Sequence, residues 1–290
     1  MLLYRCIYVM QNTAIEAINL TKRYNKLLAI DNISFNIPKG SIVGILGSNG
    51  AGKTTLIKSL IGITKPNHGT ISLLGYDLMK NMSYVRDLIG YMPQDPSLYD
   101  DLTVEENISF FGKAKSKYFS RDNLEEVLES TELKYRRKSK VGNLSGGLKK
   151  RVSLACCSVN KPQILFLDEP TAAIDPILKV KTWKIFREFV ANGKTIVIST
   201  HLMDEAILCD YLLILKDGKL LMYDTPDNII KGGKATIYVN KDNVETVQNT
   251  PESIADTLHK FGLNNDIHSV QISNQNIEDI MIELIESKNI

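Results

Sequence analysis

The stretch SIVGILGSNGAGKTTLIKSL, residues 41–60, decides the fold. SIVGILG (41–47) is a near-continuous apolar run, the pattern of a strand buried on both faces at the centre of a sheet. GSNGAGKT, Gly47 to Thr54, matches G-x-x-x-x-G-K-[ST] in full, and TTLIKSLIGI behind it has helical spacing. Strand, glycine-rich loop and helix in that order form a cradle for phosphate. The backbone N–H groups of Gly47, Ser48, Asn49, Gly50, Ala51 and Gly52 can wrap an anion, and the helix N-terminus adds positive potential. Lys53 is placed to reach the β- and γ-phosphates of a nucleotide, Thr54 to offer its hydroxyl to Mg2+, and Thr55 completes the stretch. A glycine-rich turn with no ligand is the competing reading, and the flanking strand and helix argue against it.

Downstream, QILFLDEP (163–170) delivers Asp168 and Glu169 to the end of an apolar strand, where ligands of open α/β sheets sit. Asp168 suits a Mg2+ shell, and Glu169 can polarise an attacking water. TIVIST (195–200) reads as another buried strand, separated from the first by a helical stretch that holds the only tryptophan, Trp183. Upstream, AIEAINL (14–20) and LAIDNISFNI (28–37) alternate as strands, PKG (38–40) turns the chain, and a hairpin surrounds GTISLLGYDL. From about 101 to 158 helical patterns dominate, with Leu124, Val127 and Leu128 on one apolar face. YLLILKDGKLLMYD forms a hairpin around Asp217–Gly218. Buried strands alternating with helices predict an α/β fold with a parallel core. From about 229 the texture changes to a β-α-β-α order: ATIYV, PESIADTLHKF, DIHSVQIS and NIEDIMIELIESK, the last with Ile277, Ile280, Met281, Leu284 and Ile285 on one face.

Composition narrows the class. The 290 residues are 43% hydrophobic and 23% charged, ordinary for a globular chain, and a net charge of +2 exerts no pull towards nucleic acid. Cys6, Cys156, Cys157 and Cys209 form no CxxC pair and predict reduced thiols in a reducing compartment, with Cys156 and Cys157 as packing residues. No apolar run approaches the roughly 18 residues a membrane span needs. MLLYRCIYVM at the start is followed by no signal-peptide cleavage site, Met1 and Met10 both stand as candidate starts, and the leader is expected to lack order.

A second anion site is written in NLSGGLKKRVSLA (143–155): a serine and two glycines open a helix, as an anion-binding N-terminus does. With GSNGAGKTT, LSGG and ILFLDEP in that order, the chain resembles the ATP-binding subunit of an ABC (ATP-binding cassette) transporter over about residues 14–228. The resemblance implies an α/β fold with a P-loop NTPase (RecA-like) parallel-sheet core, an antiparallel β subdomain, a helical signature subdomain at about 95–160 and a small α+β C-terminal extension at 229–290, behind the leader at 1–13. It implies that Tyr24 stacks on adenine, that Gln94 in GYMPQD senses the γ-phosphate and metal, that His201 is the switch histidine, and that TAAIDP (171–176) is a D-loop with Asp175 at its key position. The catalytic set it implies is Glu169, His201 and Gln94, and the metal set Thr54, Gln94 and Asp168.

In this family two cassettes pack head to tail, and the resemblance implies that Ser145, Gly146 and Gly147 close on ATP held by the partner. That answers why one domain carries two phosphate sites. The resemblance therefore implies ATP and Mg2+ as cofactors, a second cassette and a separate membrane permease as partners, no nucleic acid, and a cytoplasmic place beneath the membrane. Residue 148 departs from the pattern, with leucine where glutamine is commonest, and so do Ala172–Ala173–Ile174 in the D-loop. The tail, notably NIEDIMIELI, is similar to the extension of drug- and polysaccharide-type exporter ATPases and implies export. KYRRKSK (134–140) reads as a solvated face, with anionic headgroups as the alternative. A soluble ABC ATPase acting on ribosomes or DNA is the rival, disfavoured by the single cassette and the lack of a long coiled-coil insertion. A nucleotide-binding regulator is disfavoured by Glu169 and His201, and a P-loop kinase or GTPase leaves LSGG unexplained. His68, His259 and His268 are expected at the surface.

Overall fold

The centre of the molecule is β3 (Ile42–Leu46), in which no residue is exposed. In the computed structural model, which describes residues 12–240, 243–261, 269–280 and 283, β3 lies in a six-stranded sheet. Parallel to it on one side is β9 (Tyr211–Lys216), and on the other β8 (Thr195–Thr200), β7 (Ile164–Asp168) and β6 (Ile89–Met92), in that order. β10 (Lys219–Asp224) returns antiparallel to β9 and closes that edge. Strand geometry sends successive side chains to opposite faces, and the sheet uses both. Val43, Ile45, Phe166, Val197 and Leu213 enter one hydrophobic cluster, while Ile42, Leu46, Leu165, Leu167, Ile196 and Ile198 enter another. That double burial is why these segments are runs of apolar residues without alternation.

The first cluster is capped by α1 (Lys53–Leu60) and by an antiparallel sheet ordered β2 (Leu27–Pro38), β1 (Thr13–Tyr24), β4 (His68–Leu73) and β5 (Tyr76–Asp77), which places the expected hairpins. The second cluster is covered by α6 (Pro176–Ala191), whose Trp183 and Phe186 meet edge to face at 5.6 Å, and by α8 (Pro226–Lys231). Between β6 and β7 a helix-rich region has its own core. Val104 and Ile108 of α3 (Val104–Lys115), Leu124, Val127 and Leu128 of α4 (Arg121–Ser130), and Val152 and Ala155 of α5 (Gly146–Ser158) form a third cluster. Thr103 and Glu106 make a reciprocal capping box at the start of α3, and Arg137 joins α3 to α4 through Glu105 at 2.7 Å and Glu125 at 2.9 Å. α2 (Met82–Leu88) precedes β6, and α7 (Met203–Ala206) follows β8.

Two elements differ from the sequence expectation. β6 was hidden because IGYM is a four-residue run that becomes a strand only by pairing with β7. The tail has one strand more than the expected β-α-β-α order: β11 (Lys234–Val239) carries β12 (Asn243–Gln248) on one side and β13 (Val270–Asn274) on the other, with α9 (Pro251–Phe261) between the last two in sequence, and residues 277–280 are helical as expected. NVETVQ has too few apolar residues to announce itself, and its ladder to β11 supplies what its pattern lacks. Ile277 and Ile280 are buried against the α6 side of the core. Met281, Leu284, Ile285, His268, Cys6, Met10 and the leader to residue 11 lie outside the described residues. His68 and His259 are exposed, Cys157 and Cys209 are buried, and burial pushes the Cys157 thiol up to about 12.

Phe166 has no exposed surface and anchors the first cluster from the middle of β7. Phe166→Ala is expected to destabilise the chain by about 3–5 kcal/mol, read as a lowered denaturant midpoint. A loss under ~1 kcal/mol would show that the cluster closes over the cavity.

Candidate active site

Parallel register brings the candidate residues together. Leu46 lies opposite Thr200, Asp168 opposite Ser199, and Met92 opposite Leu167. The chain therefore leaves the carboxyl ends of four adjacent strands into Gly47, His201, Glu169 and Gln94, the place where open α/β sheets bind ligands.

The loop after β3 shows why its glycines are needed. Gly52 caps α1 in the left-handed region at φ 105°, and a Cβ there would lie 2.5 Å from the Ala29 carbonyl oxygen. The Ala51 amide donates to Ser48 O at 3.1 Å, and the Gly218 amide, in the β9–β10 turn, donates to Ala51 O at 3.1 Å. Lys53 is buried, and its Nζ donates to the carbonyls of Gly47 at 2.8 Å and Ser48 at 3.1 Å. Burial pushes its pKa down, while the carboxylates of Glu169 and Asp168 pull the other way. Tyr24, Asn49, Gly50, Gly52, Lys53, Thr54, Thr55, Gln94 and Glu169 line one cleft of about 520 Å³, together with Leu27, Leu28, Ala29 and Asp217.

Behind this cleft the two carboxylates are held differently. Asp168 is buried and accepts a hydrogen bond from Ser199 Oγ. The Glu169 amide donates to the same hydroxyl oxygen at 3.0 Å, so one serine ties the two residues together. The Glu169 carboxylate reaches forward: Oε2 accepts from Gln94 Nε2 at 3.1 Å, and Oε1 lies 3.3 Å from His201 Nδ1. Its backbone is in the left-handed region at φ 48°, unusual for a non-glycine residue, and Lys150 Nζ secures it by donating to the carbonyls of Glu169 and Ala172, each at 2.7 Å. Burial lowers the Lys150 pKa, against the pull of Glu169.

Ser145, Gly146, Gly147 and Asp175 do not line this cleft. Ser145 caps α5, its Oγ accepting from the Leu148 amide at 3.4 Å, and Asp175 caps α6, accepting from the Leu178 amide at 2.9 Å. The two glycines differ. A Cβ on Gly147 would lie 2.4 Å from Leu178 Cδ2 and 3.2 Å from Ile174 Cγ2, whereas one on Gly146 would meet nothing within 4 Å. Gly146 faces a second cleft of about 440 Å³, which Gln94, Lys150 and Glu169 also line. Tyr24 is half exposed, with Lys22 Nζ 4.8 Å above its ring.

Ser199 and Lys150 escaped the sequence reading, and the hairpin turn at Asp217–Gly218 was read without its place at the site. Each is an ordinary residue type in an ordinary element, and only the fold brings it to the site. A serine among the apolar residues of TIVIST was the one available signal.

A glycine-rich loop at a helix N-terminus, with a carboxylate lining the same cleft, is the arrangement of a P-loop ATPase. A family model described as ABC transporter matches residues 30–172. The chain is 37% identical over 252 residues to the Nod factor export ATP-binding protein I of Burkholderia lata, covering 86% of this chain and 81% of that one. It is 39% identical over 224 residues to the probable multidrug ABC transporter ATP-binding protein YbhF of Escherichia coli, covering 75% of this chain and 38% of that longer protein. Among solved structures, an ATP-binding subunit of an ABC transporter superposes with a TM-score of 0.71 at 26% identity, covering 94% of this chain and all of that one. A dimeric cassette in a post-hydrolysis state with ADP and Pi gives 0.67 at 28% identity, covering 73% and 98%. The chain belongs to the ABC transporter family. It is an ATP-binding subunit, an ATPase coupled to transport.

The contrast between the two glycines is testable on the isolated chain. Gly147→Ala is expected to lower the melting temperature by several degrees, because Leu178 or Ile174 must move, while Gly146→Ala leaves it within about a degree. Equal melting temperatures would remove the packing distinction.

Proposed function

We propose that this chain hydrolyses ATP between itself and a second cassette, and that the cycle drives an exporting permease. The observation that carries the reading is the contact of Gln94 and His201 with opposite oxygens of the Glu169 carboxylate, beside the phosphate cradle. In this reading Glu169 takes the proton of the attacking water, and Gln94 and His201 hold water and γ-phosphate in line. Lys53 leaves the loop carbonyls for the β- and γ-phosphates, and Tyr24 supports the adenine.

The oxygen donors near the cradle suit a hard divalent cation. They are the Thr54 hydroxyl in the cleft, the buried Asp168 carboxylate and the Gln94 amide. Among the described residues no group of three His, Cys, Asp or Glu could hold a metal, so phosphate oxygens and water would complete the shell. Bound there, Mg2+ neutralises charge on the phosphates. Asp168 is presented by Ser199, and Gln94 reaches from the end of β6.

Ser145 and Gly146 are exposed and stand apart from the phosphate cleft of their own chain, which supports their closing on ATP in a partner. Asp175, spent on capping α6, sets the D-loop through backbone shape. Among the described residues no helix is long and apolar enough to cross a membrane. In this reading the chain works on the cytoplasmic side of a separate permease, as the likeness to export ATP-binding proteins supports. A groove of about 430 Å³ between Ile63, Tyr91, Pro93, Leu98, Phe111 and Cys156 opens just beyond Gln94, and it suits an apolar cytoplasmic helix of that permease. Export as the direction rests on the Nod factor and multidrug relatives.

Glu169→Gln is expected to abolish steady-state hydrolysis while ATP binding, read by calorimetry, persists. Near-wild-type turnover in that variant would remove Glu169 from its role. Lys53→Ala is expected to weaken ATP binding at least about tenfold, and unchanged affinity would count against the cradle. Gly146→Ala, silent in the melt, is expected to lower turnover and ATP-dependent dimerisation together. Full activity there would place the second ATP contact elsewhere.

A further inference from the structure

Glu205 lies outside the cleft and has no role in the reading above, yet it is a carboxylate with no exposed surface. A buried carboxylate persists where its oxygens are satisfied. Thr171 Oγ1 donates to Oε1 at 2.5 Å, Lys179 Nζ lies 3.0 Å from the same oxygen, and Thr200 Oγ1 donates to Oε2 at 2.9 Å. These partners come from three separate pieces of chain: the turn that leaves Glu169–Pro170, the second turn of α6, and the last residue of β8. Thr200 does more than satisfy the carboxylate. Its hydroxyl oxygen also accepts the Leu202 amide at 3.0 Å, and the Glu205 amide donates to Leu202 O at 3.2 Å. The residues on both sides of His201 are thereby tied to Glu205, while the imidazole itself projects to Glu169.

We infer that Glu205 is a positioning residue: through Thr200 it fixes the backbone that carries His201, and through Thr171 the turn that leaves Glu169, so that imidazole and carboxylate are held in one relative place. The inference rests on the roles of His201 and Glu169 proposed above. A side chain that merely filled the core would need no acceptors for two hydroxyls and an ammonium at once, and an apolar residue would serve.

The test uses the full chain carrying Thr200→Val, Thr200→Ser or Glu205→Gln, each alone and combined with His201→Ala. Hydrolysis is followed at steady state and in single turnovers, and ATP affinity by calorimetry. Thr200→Val exchanges a hydroxyl for a methyl of the same shape, so it reports even where Glu205→Gln fails to fold. Thr200→Val is expected to lower kcat at least about tenfold with the ATP Kd unchanged within about twofold, and Thr200→Ser to restore it. In the His201→Ala background Thr200→Val should cost less than about twofold, because both changes act through one imidazole. An equal loss in both backgrounds, or wild-type turnover of Thr200→Val, overturns the proposal and leaves His201 in place. Wild-type turnover of His201→Ala overturns the role of His201 itself, and the proposal with it.

Discussion

Everything at the site depends on the register of four parallel strands. β3, β8, β7 and β6 lie side by side and end together, so residues far apart in sequence leave the sheet at one level. A slip of one residue in β7 would exchange Asp168 for Leu167 at the buried position and turn the second carboxylate away from Gln94 and His201. The register is secured by the two hydrophobic clusters, because each strand must present alternate residues to both. Core packing and the geometry of the candidate site are thus one constraint seen from two ends of the sheet.

The site also contains local conformations that the rest of the molecule must support. A left-handed φ at a non-glycine residue costs roughly 1–3 kcal/mol, and Glu169 adopts one. Its amide is held by Ser199 and its carbonyl by Lys150, a cation brought in by α5. The helix that begins with the signature residues is therefore mechanically tied to the residue proposed as the base. Gly147 tightens the same joint, since α5 seats against Ile174 and Leu178 with no room for a side chain. A movement of the helical region would be felt at Glu169 without passing through nucleotide.

Legibility in the sequence followed the physics of each element. Segments buried on both faces, such as SIVGILG and ILFLD, carry their own signal, and so does a loop whose backbone must wrap an anion. The central sheet, the cradle and the carboxylate pair could be read from residues alone. Tyr24, Gln94, His201 and Asp175 could not: each is a common residue type without local pattern, and only the order of motifs pointed to it. β6 and β12 were illegible because they are strands by virtue of their neighbours. Ser199, Lys150 and Glu205 belong to the same group, since their partners are distant in the chain and nothing in their own segments hints at them.

The turn at Asp217–Gly218 has a consequence for how the protein is made. It donates from Gly218 to Ala51 and stands within van der Waals reach of Gly52 and Ala29, so the phosphate loop is braced by chain from the far end of the core. A ribosome releases GSNGAGKT early and the β9–β10 hairpin late. Until that hairpin emerges and docks, the nascent chain holds the nucleotide motif without the turn that braces it. The shape of the nucleotide loop is thus a property of the completed core and not of the motif alone.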